Sequence, residues 1–255
     1  MISQPTPVIT SSKCKILIGT SGWHYEHWKG IFYPPELPKS RWFDFYARYF
    51  PTVEINSSFY HLPSEKTFAS WHRNSPADFC FAVKANRFIT HVKKLRQAEE
   101  ALDKFLQNVR ALREKLGPIL FQLPPSLRRN PELLEEFLPL LPKDLKIVFE
   151  FRNESWFAEE IYRILSRYNI SLCLFDMPGF TTPLVITADF SYIRFHGSAS
   201  LYSSCYTDEE LSEWSRRISS LARDLSEIYI YFNNDVEGFA LFNAQTLASF
   251  LQNSL

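Results

Sequence analysis

The chain reads as an α/β protein of the (β/α)8 TIM-barrel class in a single domain. Three features carry that reading. Eight short runs rich in β-branched and aromatic residues recur along the 255 residues, segments with helical apolar spacing separate most of them, and each run ends in polar residues. Alternating strands and helices imply right-handed βαβ units and a parallel sheet, and eight such units in roughly 250 residues fit a closed barrel. An open doubly wound sheet is the alternative topology.

The elements follow in order. The first strand is 16–21, followed by an aromatic loop through Tyr33 and a helix over 40–49 opened by a Ser40 cap. The second is 52–58 with a helix over 64–72. The third, 79–85, leads through 86–94 into a long amphipathic helix over 95–116, with Ala98, Ala101, Leu102, Phe105 and Val109 at helical spacing and Gly117 as its stop. The fourth strand is 119–123 with a short helix over 131–141, and the fifth is 147–151 with a helix over 155–168. The sixth is 171–176, but 177–190 carries two prolines and no helical period, so the sixth crossover is irregular. The seventh is 192–197 with a helix over 208–225, and the eighth is 228–234 with a helix over 240–251.

Composition bounds the function. Lys plus Arg equals Asp plus Glu at 28 each, so no global charge argues for a nucleic-acid, membrane or acidic partner. The four cysteines show no CxxC spacing and read as reduced thiols. Residues 1–13 are polar, with two prolines and no apolar core of a signal peptide, and read as a disordered extension before a domain over 14–255. No run approaches the roughly 18 apolar residues of a membrane span, so a cytoplasmic location is expected.

The stretch from Leu145 to Trp156 organises the rest. Strand alternation puts Val148, Glu150 and Arg152 on one face, two opposite charges at the end of an apolar strand, where burial of either one unpaired costs several kcal/mol. Other strand ends repeat the theme with Thr20 and Ser21, Glu54 and Asn56, Lys84, Gln122, Asp176, Arg194 and His196, and Asn233, Asn234 and Asp235. The expectation is a ring of acids, bases and amides pointing into the carboxyl-terminal end of the barrel, where barrel enzymes build their sites. Layered ion pairs that only fill the interior are the plainer explanation, and one that seldom recurs on all eight strands.

The motifs Gly19-Thr-Ser-Gly-Trp23, Val53-Glu-Ile-Asn-Ser-Ser-Phe-Tyr60, Phe81-Ala-Val-Lys84, Ile89-Thr-His91, Leu120-Phe-Gln-Leu-Pro-Pro125, Glu150-Phe-Arg-Asn-Glu-Ser-Trp156, Tyr192-Ile-Arg-Phe-His-Gly197 and Tyr231-Phe-Asn-Asn-Asp235, with Tyr25, Trp28, Gly30, Phe32, Tyr33 and Pro34, closely resemble those of the DUF72 (YecE-like) family. The resemblance spans about 16–251. It implies a TIM barrel of unassigned activity, distantly similar in fold to sugar-isomerase-like and endonuclease-IV-like barrels, a likeness that transfers no reaction.

Residue types narrow the chemistry. His196 with Glu150 or Asp176 are the proton-transfer candidates, and Lys84 and Glu54 join them as candidate catalytic groups. Arg152 and Arg194 would hold a phosphate or carboxylate, and Asn56, Gln122 and Asn233 would bind its polar remainder. Trp23, Tyr25, Tyr60 and Trp156 follow strand ends and either stack on a sugar or base or pack as caps. Without HxH or HExxH spacing, and with three cations that would repel an added ion, no divalent metal is favoured. No GxGxxG, P-loop or G-x-S-x-G elbow is present, so no cofactor is evident and a serine hydrolase is not expected. The best reading is an acid/base enzyme, of isomerase or hydrolase type, acting on a small anionic or sugar-like ligand. A nucleic-acid-binding or endonuclease-IV-like phosphodiester-processing barrel, gripping a backbone through Lys93, Lys94, Arg96, Arg128 and Arg129, is the alternative, and a noncatalytic binding module is a third.

Overall fold

The computed structural model describes residues 5–11 and 13–254. In chain order its strands are β1 (Ile9–Thr10), β2 (Lys15–Ser21), β3 (Thr52–Ile55), β4 (Cys80–Lys84), β5 (Leu116–Leu123), β6 (Ile147–Phe151), β7 (Ser171–Met177), β8 (Phe180–Thr181), β9 (Phe190–Phe195) and β10 (Glu227–Phe232). The helices are α1 (Trp42–Tyr46), α2 (Ser57–Tyr60), α3 (Glu65–Asn74), α4 (Glu99–Val109), α5 (Pro131–Phe137), α6 (Glu159–Arg167), α7 (Asp208–Leu221) and α8 (Phe239–Ser254). The hydrogen-bonded strand order is β1-β2-β10-β9-β7-β6-β5-β4-β3, and β2 also pairs with β3. The order of the eight long strands therefore closes on itself, and the fold is a (β/α)8 TIM barrel. The short strands β1 and β8 are antiparallel additions to β2 and β7.

The chain divides into two compact units, one of Ile55–Cys173 with Pro183–Ala188, the other of Met1–Glu54, Leu174–Thr182 and Asp189–Leu255. In the first, β6 alternates as its sequence requires. Phe149 stacks on Phe121 at 5.4 Å and lies near Phe137 of α5, and Phe151 stacks on Trp156 at 4.6 Å, while Glu150 between them turns the other way to meet Gln122 of β5. In the second, Thr20 bonds the Tyr46 hydroxyl of α1 whereas Ser21 bonds Glu54 of β3. Phe195 and Phe232 stack at 4.6 Å, with Trp214 of α7 packed edge-on at 4.9 Å. In each unit phenylalanines of the strands thus pack toward helices while the carboxylates Glu150 and Glu54 turn to the opposite face.

Several expectations are corrected. The long helix over 95–116 is helical only from Glu99, because Lys94, Leu95 and Gln97 take positive φ, and from Arg110 it tightens into a 3-10 turn over Arg110–Lys115. Gly117 does not end that helix but lies within β5, where a Cβ would meet Cys80 Sγ at 2.4 Å; the chain reverses at Arg113, φ 50°. Residues 86–94 hold a π-helical turn, Phe88–Val92. Ser40 caps nothing; it sits in a 3-10 turn, Lys39–Arg41, before α1. Part of the extension over 1–13 is ordered: Ile9 and Thr10 pair with Ile16 and Lys15, and Thr6 N–H donates to Tyr49 O at 2.6 Å. The rest of that expectation, at 1–4 and 12, lies outside the described residues. The irregular sixth crossover is found, with β8 forming a tight hairpin on the end of β7.

Gly19 is the position where the close approach of β2 to β3 shows most plainly, since a Cβ there would lie 2.2 Å from Thr52 O. Gly19→Ala is expected to lower the unfolding free energy by about 1–3 kcal/mol, as overpacking does. Urea unfolding checks it; an unchanged midpoint would contradict the close approach.

Candidate active site

In the unit of Ile55–Cys173, polar residues gather at the carboxyl ends of successive strands: Lys84 closes β4, Gln122 is next to last in β5 and Glu150 in β6, and Arg152 follows β6. Glu150 is fully buried, and such a carboxylate must be met by donors. Gln122 Nε2 donates to its Oε1 at 2.8 Å, Arg152 Nε donates to the same oxygen, and Cys173 Sγ lies 3.9 Å from Oε2. Lys84 lays its Nζ over the Phe59 ring at 4.3 Å, and the His91 ring meets the same Phe59 edge-on at 4.9 Å.

His91 is the residue that reveals the electrostatics of this cluster. It is half-buried, with Nδ1 2.9 Å from Thr90 Oγ1, and its Nε2 makes no hydrogen bond among the described residues. Burial first, then the charges of Lys84 and Arg87, and more weakly Arg152, depress it to about 4, with Glu150 acting in the opposite sense. Burial and the positive charges of Lys84, Arg87 and Arg152 thus favour the neutral imidazole in this partly desolvated place.

The other unit contains a buried ion pair. Glu54 and Arg194 are sealed from solvent, and Glu54 Oε1 accepts from Arg194 Nη2 and Ser21 Oγ, both at 2.7 Å, while Oε2 accepts from the Tyr192 hydroxyl at 2.6 Å. Tyr231, beside Tyr192, bonds Thr52 at 2.7 Å. Glu54 therefore has three donors and no exposure, and it holds Arg194 in place.

Farther along β9 the same parity brings His196 next to Asn233, whose Nδ2 stands 3.1 Å from His196 Nδ1, with Tyr202 edge-on at 5.6 Å. Asp176 departs from expectation. Cys173 and Phe175 share one face of β7, so Asp176 falls on the opposite one, where Tyr206, packed against Phe195 and Phe232, donates to its Oδ2 at 2.9 Å and Thr181 donates to Oδ1. Burial raises Asp176 above the usual carboxylate range, opposed by those two hydrogen bonds.

The four aromatic candidates separate. Trp156 is fully buried with its indole N–H on Leu127 O at 2.8 Å, a packing residue and no stacking platform. Tyr25 donates to Ser21 O and lies against Trp28, and burial raises its phenol, so it remains a donor. Trp23 is half-buried, edge-on to Phe43 at 5.3 Å. Tyr60, at the end of α2, is 63% exposed and is the one placed as a platform would be. Asn56, after β3, has a buried Oδ1 with no hydrogen-bond partner among the described residues. Also among the described residues, no three His, Cys, Asp or Glu side chains converge as metal ligands do, and no helix is long and apolar enough to cross a membrane.

Arg87 and Tyr192 were not singled out by the sequence. Tyr192 had a signal, its parity with Arg194 and His196; Arg87, on the loop into a π-turn, had none.

Comparison with known proteins bears on the whole chain. A family model described as a protein of unknown function, DUF72, matches residues 17–255. The UPF0759 protein YunF of Bacillus subtilis is 26% identical over 92% of this chain and 94% of its own. Among solved structures, a DUF72 family protein from Thermotoga maritima is 32% identical with a TM-score of 0.84, covering 93% of this chain and 99% of that one. Another, from Enterococcus faecalis, is 22% identical with a TM-score of 0.81, covering 92% and 95%, and shows the shared fold.

Two outcomes follow from the geometry. Glu54→Gln leaves the Arg194 charge buried without its counter-ion and is expected to cost about 3–5 kcal/mol in denaturant unfolding; a loss below about 1 kcal/mol would contradict the buried pair. For His91, the folded value of about 4 lies below the ordinary 6.5. As pH falls between those values the unfolded chain takes up the proton first, so stability declines through that window, and the penalty is complete below it. Unfolding midpoints should therefore fall less steeply over that window in His91→Gln than in the wild type, and parallel curves would contradict the depressed imidazole.

Proposed function

The chain belongs to the DUF72 family, and from that premise we propose that it is a cytoplasmic enzyme performing acid/base chemistry on a small anionic, sugar-like ligand held at the ends of β4, β5 and β6. The observation that carries the reading is that Lys84 Nζ and His91 meet the same Phe59 ring at the end of β4, with the charges of Lys84, Arg87 and Arg152 bearing on His91 in a partly buried place. Guanidinium and ammonium groups so arranged attract phosphate or carboxylate, and partial desolvation strengthens the attraction. Lys84 and Arg152 are the anchors, with Arg87 adding charge from the rim.

Glu150 and His91 supply the proton chemistry. The buried carboxylate, oriented by Gln122, is the candidate general base, and the neutral imidazole, tied at Nδ1 to Thr90, presents Nε2 to the ligand. A bound anion would offset the charges of Lys84 and Arg87 and move His91 back toward neutrality, where proton transfer is efficient. Tyr60 offers a face to the apolar side of a sugar. His196 with Asn233 is a second histidine suited to proton transfer. The exposed Arg128 and Arg129 keep nucleic acid as the competing ligand.

Calorimetric titration with inorganic phosphate tests the reading. Lys84→Gln and Arg152→Gln are each expected to weaken binding about tenfold or more, roughly 1.4 kcal/mol, whereas Glu150→Gln, by removing a negative charge, should tighten it while abolishing turnover. Phosphate binding unaffected by both cation variants, or absent at millimolar concentration, would overturn the proposal.

A further inference from the structure

The π-helical turn that carries His91 also has an outward side. Phe88 and Val92 are both exposed on this one turn, and large apolar side chains that share an exposed place mark contact surfaces in a way that singly scattered ones do not. Between the turn and α4 runs an open groove of about 750 Å³. Phe88 and Ala101 supply its apolar wall, and Lys93, Lys104, Glu100 and Asp103 its charges. None of these four charges has an ion-pair partner among the described residues; Lys93 only covers the Phe88 ring, at 5.7 Å. Glu100 and Lys104 stand four residues apart on α4, the spacing at which Glu159 with Arg163 and Glu213 with Arg217 do pair, yet they remain apart.

A small ligand is a poor match for this groove, because small-molecule sites are mostly apolar with a few placed polar groups, and here charges of both signs line an open surface. A partner of one sign fits no better. A nucleic acid or an anionic membrane drawn to Lys93 and Lys104 is opposed by Glu100 and Asp103, and a basic partner is opposed by the lysines. Two charges of each sign beside an apolar centre complement themselves, which is what a twofold contact requires, since the same patch is then used on both copies. The chain's 28 basic and 28 acidic residues leave no net charge to hold two copies apart. We infer that the groove between the π-turn and α4 is covered by the same groove of a second copy of this chain, in a twofold dimer with Phe88 and Val92 at its centre and the lysines of each copy facing the carboxylates of the other. The contact is independent of the anion site proposed above; its consequence there is that the turn carrying His91 packs against a second chain.

Sedimentation equilibrium at high micromolar protein and low ionic strength tests the dimer. The wild type is expected to sediment as a dimer whose dissociation constant rises as salt is added, and a wild type that stays monomeric would overturn the inference. Phe88→Ser should weaken the association about tenfold or more. Two double variants separate the charges: Lys93→Glu/Lys104→Glu leaves a groove with carboxylates only, and Glu100→Lys/Asp103→Lys one with ammonium groups only. Each should be monomeric alone through like-charge repulsion, and an equimolar mixture of the two should form the dimer again, which also shows that both are folded. Double variants that remain dimeric alone would place the contact elsewhere and overturn the assignment, and folded monomers that fail to associate on mixing would overturn the charge pairing. If circular dichroism shows either double variant unfolded, Phe88→Ser and the salt dependence decide: an association indifferent to both overturns the inference.

Discussion

A charge placed inside an apolar sheet has to be matched there, and that constraint shapes both units of the protein. Glu54 shows it met on the carboxylate: two oxygens, donors from Arg194, Ser21 and Tyr192, and no solvent. Around Glu150 the match is made by Gln122 and Arg152, and the charges of Lys84, Arg87 and Arg152 bear on the half-buried His91.

The segment that carries Arg87 and His91 is unusual in its backbone. A π-helical turn at Phe88–Val92 runs into Lys94, Leu95 and Gln97, three non-glycine residues with positive φ. Leu95 is buried and its N–H donates to Ile89 O at 3.0 Å, while His91 faces Phe59 and Phe88 and Val92 remain exposed. Backbone conformations of this kind are costly and persist where the surroundings over-determine them, commonly at functional sites. The strained residues thus follow directly on the turn that carries His91.

Most of the barrel was legible because strand periodicity is strong in this chain. The parity of Glu54, Glu150, Arg194 and His196 follows from counting by two along apolar runs, and the structure keeps it. Asp176 was misjudged because being at a strand end says nothing of which face a residue takes; its neighbours Cys173 and Phe175 had already claimed the inner one. Trp156 follows β6 as a ligand-stacking residue would, but the chain turns it back onto Phe151. The helix over 95–116 was overextended because apolar spacing continues through residues whose positive φ leaves no mark in composition. The pairing of Ile9 and Thr10 with β2 depends on a contact that a two-residue strand cannot announce.

The most direct measurement is a crystal structure of the protein grown with millimolar phosphate. The account predicts one tetrahedral anion within hydrogen-bond distance of Lys84 Nζ and the Arg152 guanidinium, near His91 Nε2, about 2.7–3.2 Å from each donor. Phosphate found only on exposed arginines such as Arg128 and Arg129, with Lys84 and Arg152 unchanged and bare of anion, would contradict it.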